Sequence, residues 1–163
     1  MLPAAVITVS DSCFRGERED ASGPAVADAL REAGFAVVLE RTAPDEVGAI
    51  QVAVREGLAV ARLVVTTGGT GISPRDVTPE ATRELCDREL EGVAELMRAE
   101  GRQETIFAAL SRSFCGTAGQ AVILNLPGSP RGAVTSLKAV LPLLPHALKL
   151  LEGESRHEET DKA

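Results

Sequence analysis

Two carboxylates and a glycine loop are the residues of this chain best suited to chemistry. In RLVVTTGGTGISPRDVTPEAT, residues 62–82, a β-branched run leads into Gly68, Gly69, Thr70 and Gly71, and Arg75 and Asp76 follow. Glycines at that point let the backbone turn sharply and aim its N–H groups at an anion. Thr78 as N-cap and Pro79 at the first helical position predict a helix from Thr78 to about Asp87. Strand, glycine loop, charged pair and helix N-terminus together suit a phosphate-bearing ligand with a metal ion. The stretch is not a Walker loop, because Ile72 and Ser73 follow Gly71, and it holds no G-x-G-x-x-G. Alone, such a loop also serves as a mere tight connection.

Other candidates lie elsewhere in the chain. Asp45 falls in TAPDE, which predicts a helix start with Asp45 and Glu46 in the first turn, running to about Ala59. An acid in that place can act in catalysis or simply oppose the helix dipole. Ser10 and Asp11 end the first apolar run, and Ser111-Arg112-Ser113 could grip a phosphate or form a solvated turn. Asn125-Leu126-Pro127-Gly128-Ser129 carries a strand into a rigid loop, either a site wall or a plain connection. Asp45 and Asp76 beside a glycine loop suggest Mg²⁺ shared with substrate phosphates. The loop N–H groups would cradle those phosphates, and Arg75 or Arg112 would add positive charge. No side-chain nucleophile stands out, so the chemistry is direct transfer to a bound acceptor.

The elements that must hold these residues read as alternating strands and helices. Ala4–Ser10 and Phe35–Leu39 are predicted strands, with a helix from Ser22 to about Ala33 between them. Leu63–Val65 makes a third strand. A helix after Glu91 and a helical Glu104–Leu110 follow. A hairpin pairs Phe114–Thr117 with Ala121–Leu126, whose apolar AVILNL belongs at the sheet centre. Val134–Leu151 is helical but interrupted by Pro142 and Pro145. This alternation argues an α/β fold on a mostly parallel sheet with one short antiparallel strand. Ligands then sit beyond the strands' carboxyl ends, where the candidate loops gather.

At 163 residues the chain fits one domain, residues 1–153, followed by a charged tail, 154–163, expected to be disordered. A net charge of −7 argues against nucleic-acid binding. No signal peptide is read at the start, and no apolar run is read as reaching membrane-spanning length. The odd, widely spaced Cys13, Cys86 and Cys115 form neither a metal pattern nor a disulfide framework, which points to the cytoplasm.

The whole pattern resembles the MoaB/Mog family of molybdenum cofactor biosynthesis proteins. VSDS with SGP, APDE, TTGGTG with PRDVTPEAT, LSRS and ILNLPGSP carry the resemblance over residues 4–153. The resemblance implies a three-layer α/β/α domain, a homotrimer, and transfer of AMP from Mg-ATP to the terminal phosphate of molybdopterin. It also implies a molybdenum-insertion protein as a partner. By position, Asp45 and Asp76 match the family's catalytic and metal-binding acids, and Gly68, Gly69, Thr70 and Gly71 match its phosphate loop. Ser10, Ser111, Asn125, Pro127, Gly128 and Ser129 fall in motifs lining the pterin and nucleotide pockets. The alternative within the family is a carrier or assembly protein that binds molybdopterin without adenylylating it.

Overall fold

The computed structural model describes residues 1–153, so the expected disordered tail lies outside the described residues. Six strands form one sheet: β1 (Leu2–Val9), β2 (Phe35–Ala43), β3 (Leu63–Thr67), β4 (Arg88–Glu89), β5 (Cys115–Ala118) and β6 (Ala121–Leu126), in spatial order β2-β1-β3-β6-β5-β4. β2, β1, β3 and β6 pair in parallel, while β5 runs against both β6 and β4. The hairpin and the single reversed strand are as the sequence predicts. β4 is an addition, a two-residue exposed strand without an apolar signal.

A one-turn helix, α1 (Asp11–Phe14), follows β1, and side-chain parity divides the core into two layers. Val6, Leu63, Val65, Val122 and Leu124 face one way, toward α2 (Ser22–Glu32), α5 (Glu91–Glu104), α6 (Pro130–Val140) and α7 (Leu144–Leu151). Ala5, Ile7, Val64 and Ile123 face the other way, toward α3 (Val47–Val60) and α4 (Thr78–Arg83). Successive strand residues point to opposite faces, and both faces are covered, so β3 is buried along its whole length. This is the three-layer α/β/α arrangement.

β2 extends four residues beyond its predicted end at Leu39. Its outer residues Glu40 and Arg41 are tolerable because β2 is an edge strand, and they pair with Arg31 and Glu56. A register shift places Ala4 opposite Val37 but Ala5 opposite Leu39, leaving Val38 as a bulge. The extra residue turns Val37 and Leu39 into opposite layers of the core.

The longer β2 also moves the start of α3. Glu46 is its N-cap and Val47 its first residue, so Asp45 precedes the helix rather than lying in its first turn. α4 ends at Arg83, short of Asp87, because the chain turns back to pair beside β5, with Asp87 N–H donating to Thr117 O at 2.7 Å. Helical residues 130–151 form a 22-residue run, with a mean hydropathy of 1.3 over its most apolar 18-residue window, interrupted by a 3-10 turn at Leu141–Leu143. That run is long and apolar enough to cross a membrane, contrary to the sequence reading. Its apolar content serves the core, where Ala133, Leu137, Val140, Leu144 and Leu148 pack against the sheet.

Candidate active site

β1, β2, β3 and β6 run in parallel, so their carboxyl ends open on one edge. The chain leaves β1 toward β2 on one side and returns to β3 on the other, which makes the β1–β3 gap the topological switch point. Gly68 follows β3 at that gap. A side chain there would put Cβ 2.2 Å from the Val9 carbonyl oxygen, and φ is +103°. Gly69 has φ +67°, with a Cβ position 2.2 Å from Thr78 Oγ1. Thr78 is the first residue of α4, not its cap. Its hydroxyl donates to Gly68 O at 2.9 Å and its N–H to Gly69 O at 3.1 Å, so the start of α4 fixes the loop. Thr67 Oγ1 donates to Pro127 O at 2.7 Å and ties the loop to the end of β6.

Two cavities flank this loop. One, of about 630 Å³, is bordered by Ser10, Asp45, Gly68, Gly69 and Asp76. The other, of about 420 Å³ and more apolar, is bordered by Thr70, Gly71, Ser111 and Pro127. Gly128 and Ser129 border both. Ser129 also caps α6, its Oγ accepting from Gly132 N–H at 3.2 Å. Eleven predicted site residues are therefore brought to the cavities.

Four predicted site residues border neither cavity: Asp11, Arg75, Arg112 and Asn125. Each is engaged in bracing. Arg112 donates from Nε to Gly71 O at 2.7 Å and from Nη2 to Asp76 O at 2.8 Å, and it pairs with Glu80. It holds the glycine loop from behind. Asn125 is fully buried; its amide donates to Thr66 Oγ1 and its Oδ1 accepts from Thr82 Oγ1, both at 2.9 Å. It joins β6 to β3 and α4. Arg75 grips Asp11 with two hydrogen bonds of 3.0 Å.

Some cavity residues had no sequence signal. Met97 and Gly101, one turn apart on α5, border the apolar cavity together with Phe107, which is 74% exposed. A Met and a Gly at that spacing read as ordinary helix packing. Arg18 borders the polar cavity from a charged loop that resembles any solvated turn.

The carboxylates differ in environment. Asp11 is held below its ordinary pKa, first by the hydrogen bonds from Arg75 and then by the Asp45 N–H. Asp45 is pushed above its ordinary value, chiefly by burial, with the charges of Asp11 and Asp76 adding and the Asp11 N–H opposing. Asp76 Oδ2 accepts from Ser73 N–H at 3.0 Å, which fixes its side chain at the loop. Three carboxylates, Glu19, Asp45 and Asp76, border the polar cavity, the last two beside the glycine loop, and no cluster of three His, Cys, Asp or Glu that could hold a metal occurs among the described residues. Such a donor set fits Mg²⁺, which takes its remaining oxygens from phosphate and water.

Parallel strands, a glycine loop at the switch point and paired acids define an α/β domain with two adjoining cavities, an arrangement suited to a phosphate-bearing ligand. Residues 5–146 match the family described as "Probable molybdopterin binding domain". The chain belongs to this family, in its MoaB/Mog form. It is 39% identical over 150 residues to the molybdopterin adenylyltransferase of Pyrococcus furiosus, covering 88% of each chain. The crystal structure of the molybdopterin biosynthesis enzyme MoaB from Thermus thermophilus superposes with a TM-score of 0.87 at 50% identity, covering 94% of this chain and 98% of that one. The chain is also 41% identical, over 90% of its length, to the molybdenum cofactor synthesis protein cinnamon of Drosophila melanogaster, but spans only 25% of that protein. It spans 47% of a molybdenum cofactor biosynthesis bifunctional protein from Synechococcus elongatus.

Asn125→Ala is expected to lower stability by about 1–3 kcal/mol in urea unfolding, since it removes the buried hydrogen bonds to Thr66 Oγ1 and from Thr82 Oγ1 without altering either cavity. Asp45→Asn is expected to stabilise the metal-free fold. A raised folded pKa means that ionised Asp45 costs stability once the pH exceeds the ordinary 3.8 and then the raised value. Melting temperatures without divalent metal should therefore favour the variant at about pH 7 and converge as the pH falls to about 4.

Proposed function

We propose that this chain is a molybdopterin adenylyltransferase acting in molybdenum cofactor biosynthesis. The observation that carries this reading is the glycine loop between two cavities that share the Gly128–Ser129 wall, with Asp45 and Asp76 on one side. Two reactants bound in adjoining cavities meet at that wall. A terminal phosphate oxygen of molybdopterin attacks the α-phosphorus of ATP; the new P–O bond forms as the bond to the β-phosphate bridging oxygen breaks, and pyrophosphate leaves. The family match and the names of the full-length relatives support the same reaction.

The chain's own residues supply position and electrostatics. The Gly68 N–H is already given to Leu126 O at 3.1 Å, so the N–H groups of Gly69, Thr70 and Gly71 meet phosphate oxygens, in a turn whose conformation is fixed before any ligand arrives. Arg112 keeps that turn in place through the Gly71 and Asp76 carbonyls. Asp45 and Asp76 would hold Mg²⁺, which when bound opposes the charge of the departing pyrophosphate. Proximity of the reactants is the other large contribution, because nothing on the protein needs to become covalently attached.

A homotrimer, a cytoplasmic location and an insertion protein as partner belong to the same reading. The free thiols of Cys13, Cys86 and Cys115 support a reducing compartment. The larger relatives, one of them named bifunctional, support a second activity working beside this domain.

Pyrophosphate release from Mg-ATP should require molybdopterin and should match formation of adenylylated pterin. No release despite pterin binding would instead mark a carrier. Asp76→Asn should keep the Ser73 contact through its amide oxygen and the wild-type melting temperature, while kcat falls on the order of 10²-fold or more. Light scattering should give a mass about three times the 17.0 kDa of the chain; a monomer would exclude the trimer.

A further inference from the structure

Asp11 and Arg75 stand beside the acids of the polar cavity without bordering it. Asp11 N–H donates to Asp45 Oδ2 at 2.9 Å, and Asp45 N–H donates to Asp11 Oδ1 at 3.0 Å. This reciprocal clasp joins the ends of β1 and β2, and it gives Asp45 a backbone and a side-chain contact to the same residue. The N-cap of α3, Glu46, makes no side-chain capping bond. Arg75 then closes on Asp11 from the glycine-loop side, with Nε to Oδ2 and Nη2 to Oδ1 both at 3.0 Å. A planar guanidinium fork on a carboxylate fixes direction as well as distance. Asp11 thus accepts from three donors, and its charge is balanced before any ligand binds.

We propose that Asp11 and Arg75 are a positioning pair for Asp45, not ligands of phosphate, in the adenylyl-transfer reading above. The pair spans three of the loops that make the site. Arg75 precedes Asp76, so one ion pair sets the spacing between Asp45 and Asp76. Neutralising Asp11 leaves Asp45 and Asp76 as the carboxylates presented to a cation at the glycine loop, with Glu19 also on the cavity border. Phosphate recognition falls to the glycine-loop N–H groups and the cation, and Arg75 acts through Asp11.

The test uses Mn²⁺ as the metal probe and α,β-methylene-ATP as the nucleotide, whose Pα–C–Pβ link cannot be cleaved. Mn²⁺ binding by electron paramagnetic resonance is compared in the wild type, Asp11→Asn, Arg75→Ala and the double variant. Each single variant should weaken Mn²⁺ binding about 10–100-fold, as loss of a ligand's supporting partner does. The double variant should be no weaker than the weaker single one, because both act on one clasp. Nucleotide affinity measured in EDTA should not change in Arg75→Ala. A tenfold or greater loss of that metal-free affinity would make Arg75 a phosphate ligand and overturn the proposal. So would additive effects in the double variant, or no Mn²⁺ binding by the wild type with the nucleotide. If Asp11→Asn fails to fold, Arg75→Lys decides: a lysine cannot form the fork, so Mn²⁺ binding at wild-type strength would overturn the pair. Failure of the adenylyl-transfer reading would show separately, as wild-type protein that binds Mn²⁺ and nucleotide but releases no pyrophosphate with molybdopterin.

Discussion

The site depends on an approach of backbone to backbone that leaves no room for a side chain. Where β3 ends beside β1, Gly68 lies so close to the Val9 carbonyl that a Cβ would stand 2.2 Å from its oxygen. Gly128 closes on the other side, its Cβ position 3.3 Å from Gly68 Cα. Three strand ends are thereby drawn together at the switch point, and the positive φ of Gly68 turns the chain away from the sheet at once. The start of α4, the Pro127 loop and both cavities take their places from that packing. Any larger residue at position 68 would separate β1 from β3 or reverse the turn.

Around this centre the charged residues support one another before they serve a ligand. Arg112 grips loop carbonyls, and Arg75 grips a carboxylate. Of the acids that border the polar cavity, Asp45 and Asp76 lie at the glycine loop, the pair on which a hard cation and a polyphosphate can meet. Asp45 is partly desolvated there, which makes it costly as a free anion and receptive to a positive partner. Stability is given up at the place where binding is gained, a common arrangement in active sites.

The sequence made the architecture legible because its strands alternate with helices and its central strands are uniformly apolar. The glycine loop was legible as well, since few residue types tolerate such a turn. The edges were not. β4 is two charged residues, and β2 continues through Glu40 and Arg41 because an edge strand need not be apolar. Pro44-Asp45-Glu46 resembles a helix start, a pattern that puts Asp45 in the first turn. The strand runs on to Ala43, so the acid sits on the sheet edge instead. Asn125 shows another limit: a polar residue beside a Pro-Gly loop suggests a pocket, but its partners Thr66 and Thr82 are distant in sequence and lie in the core. A linear pattern reveals which residue types are present, not which of them turn away from the opening.

The wall that Gly128 and Ser129 provide to both cavities has a consequence for turnover. A molecule made by joining the two occupants would span both cavities and touch both sets of contacts at once. Each half would hold the other at high effective concentration, so the joined product would leave more slowly than either reactant. A site built for coupling would then also retain, and between cycles it would stay loaded. A downstream protein that takes the product directly from this surface would set the pace of the whole sequence.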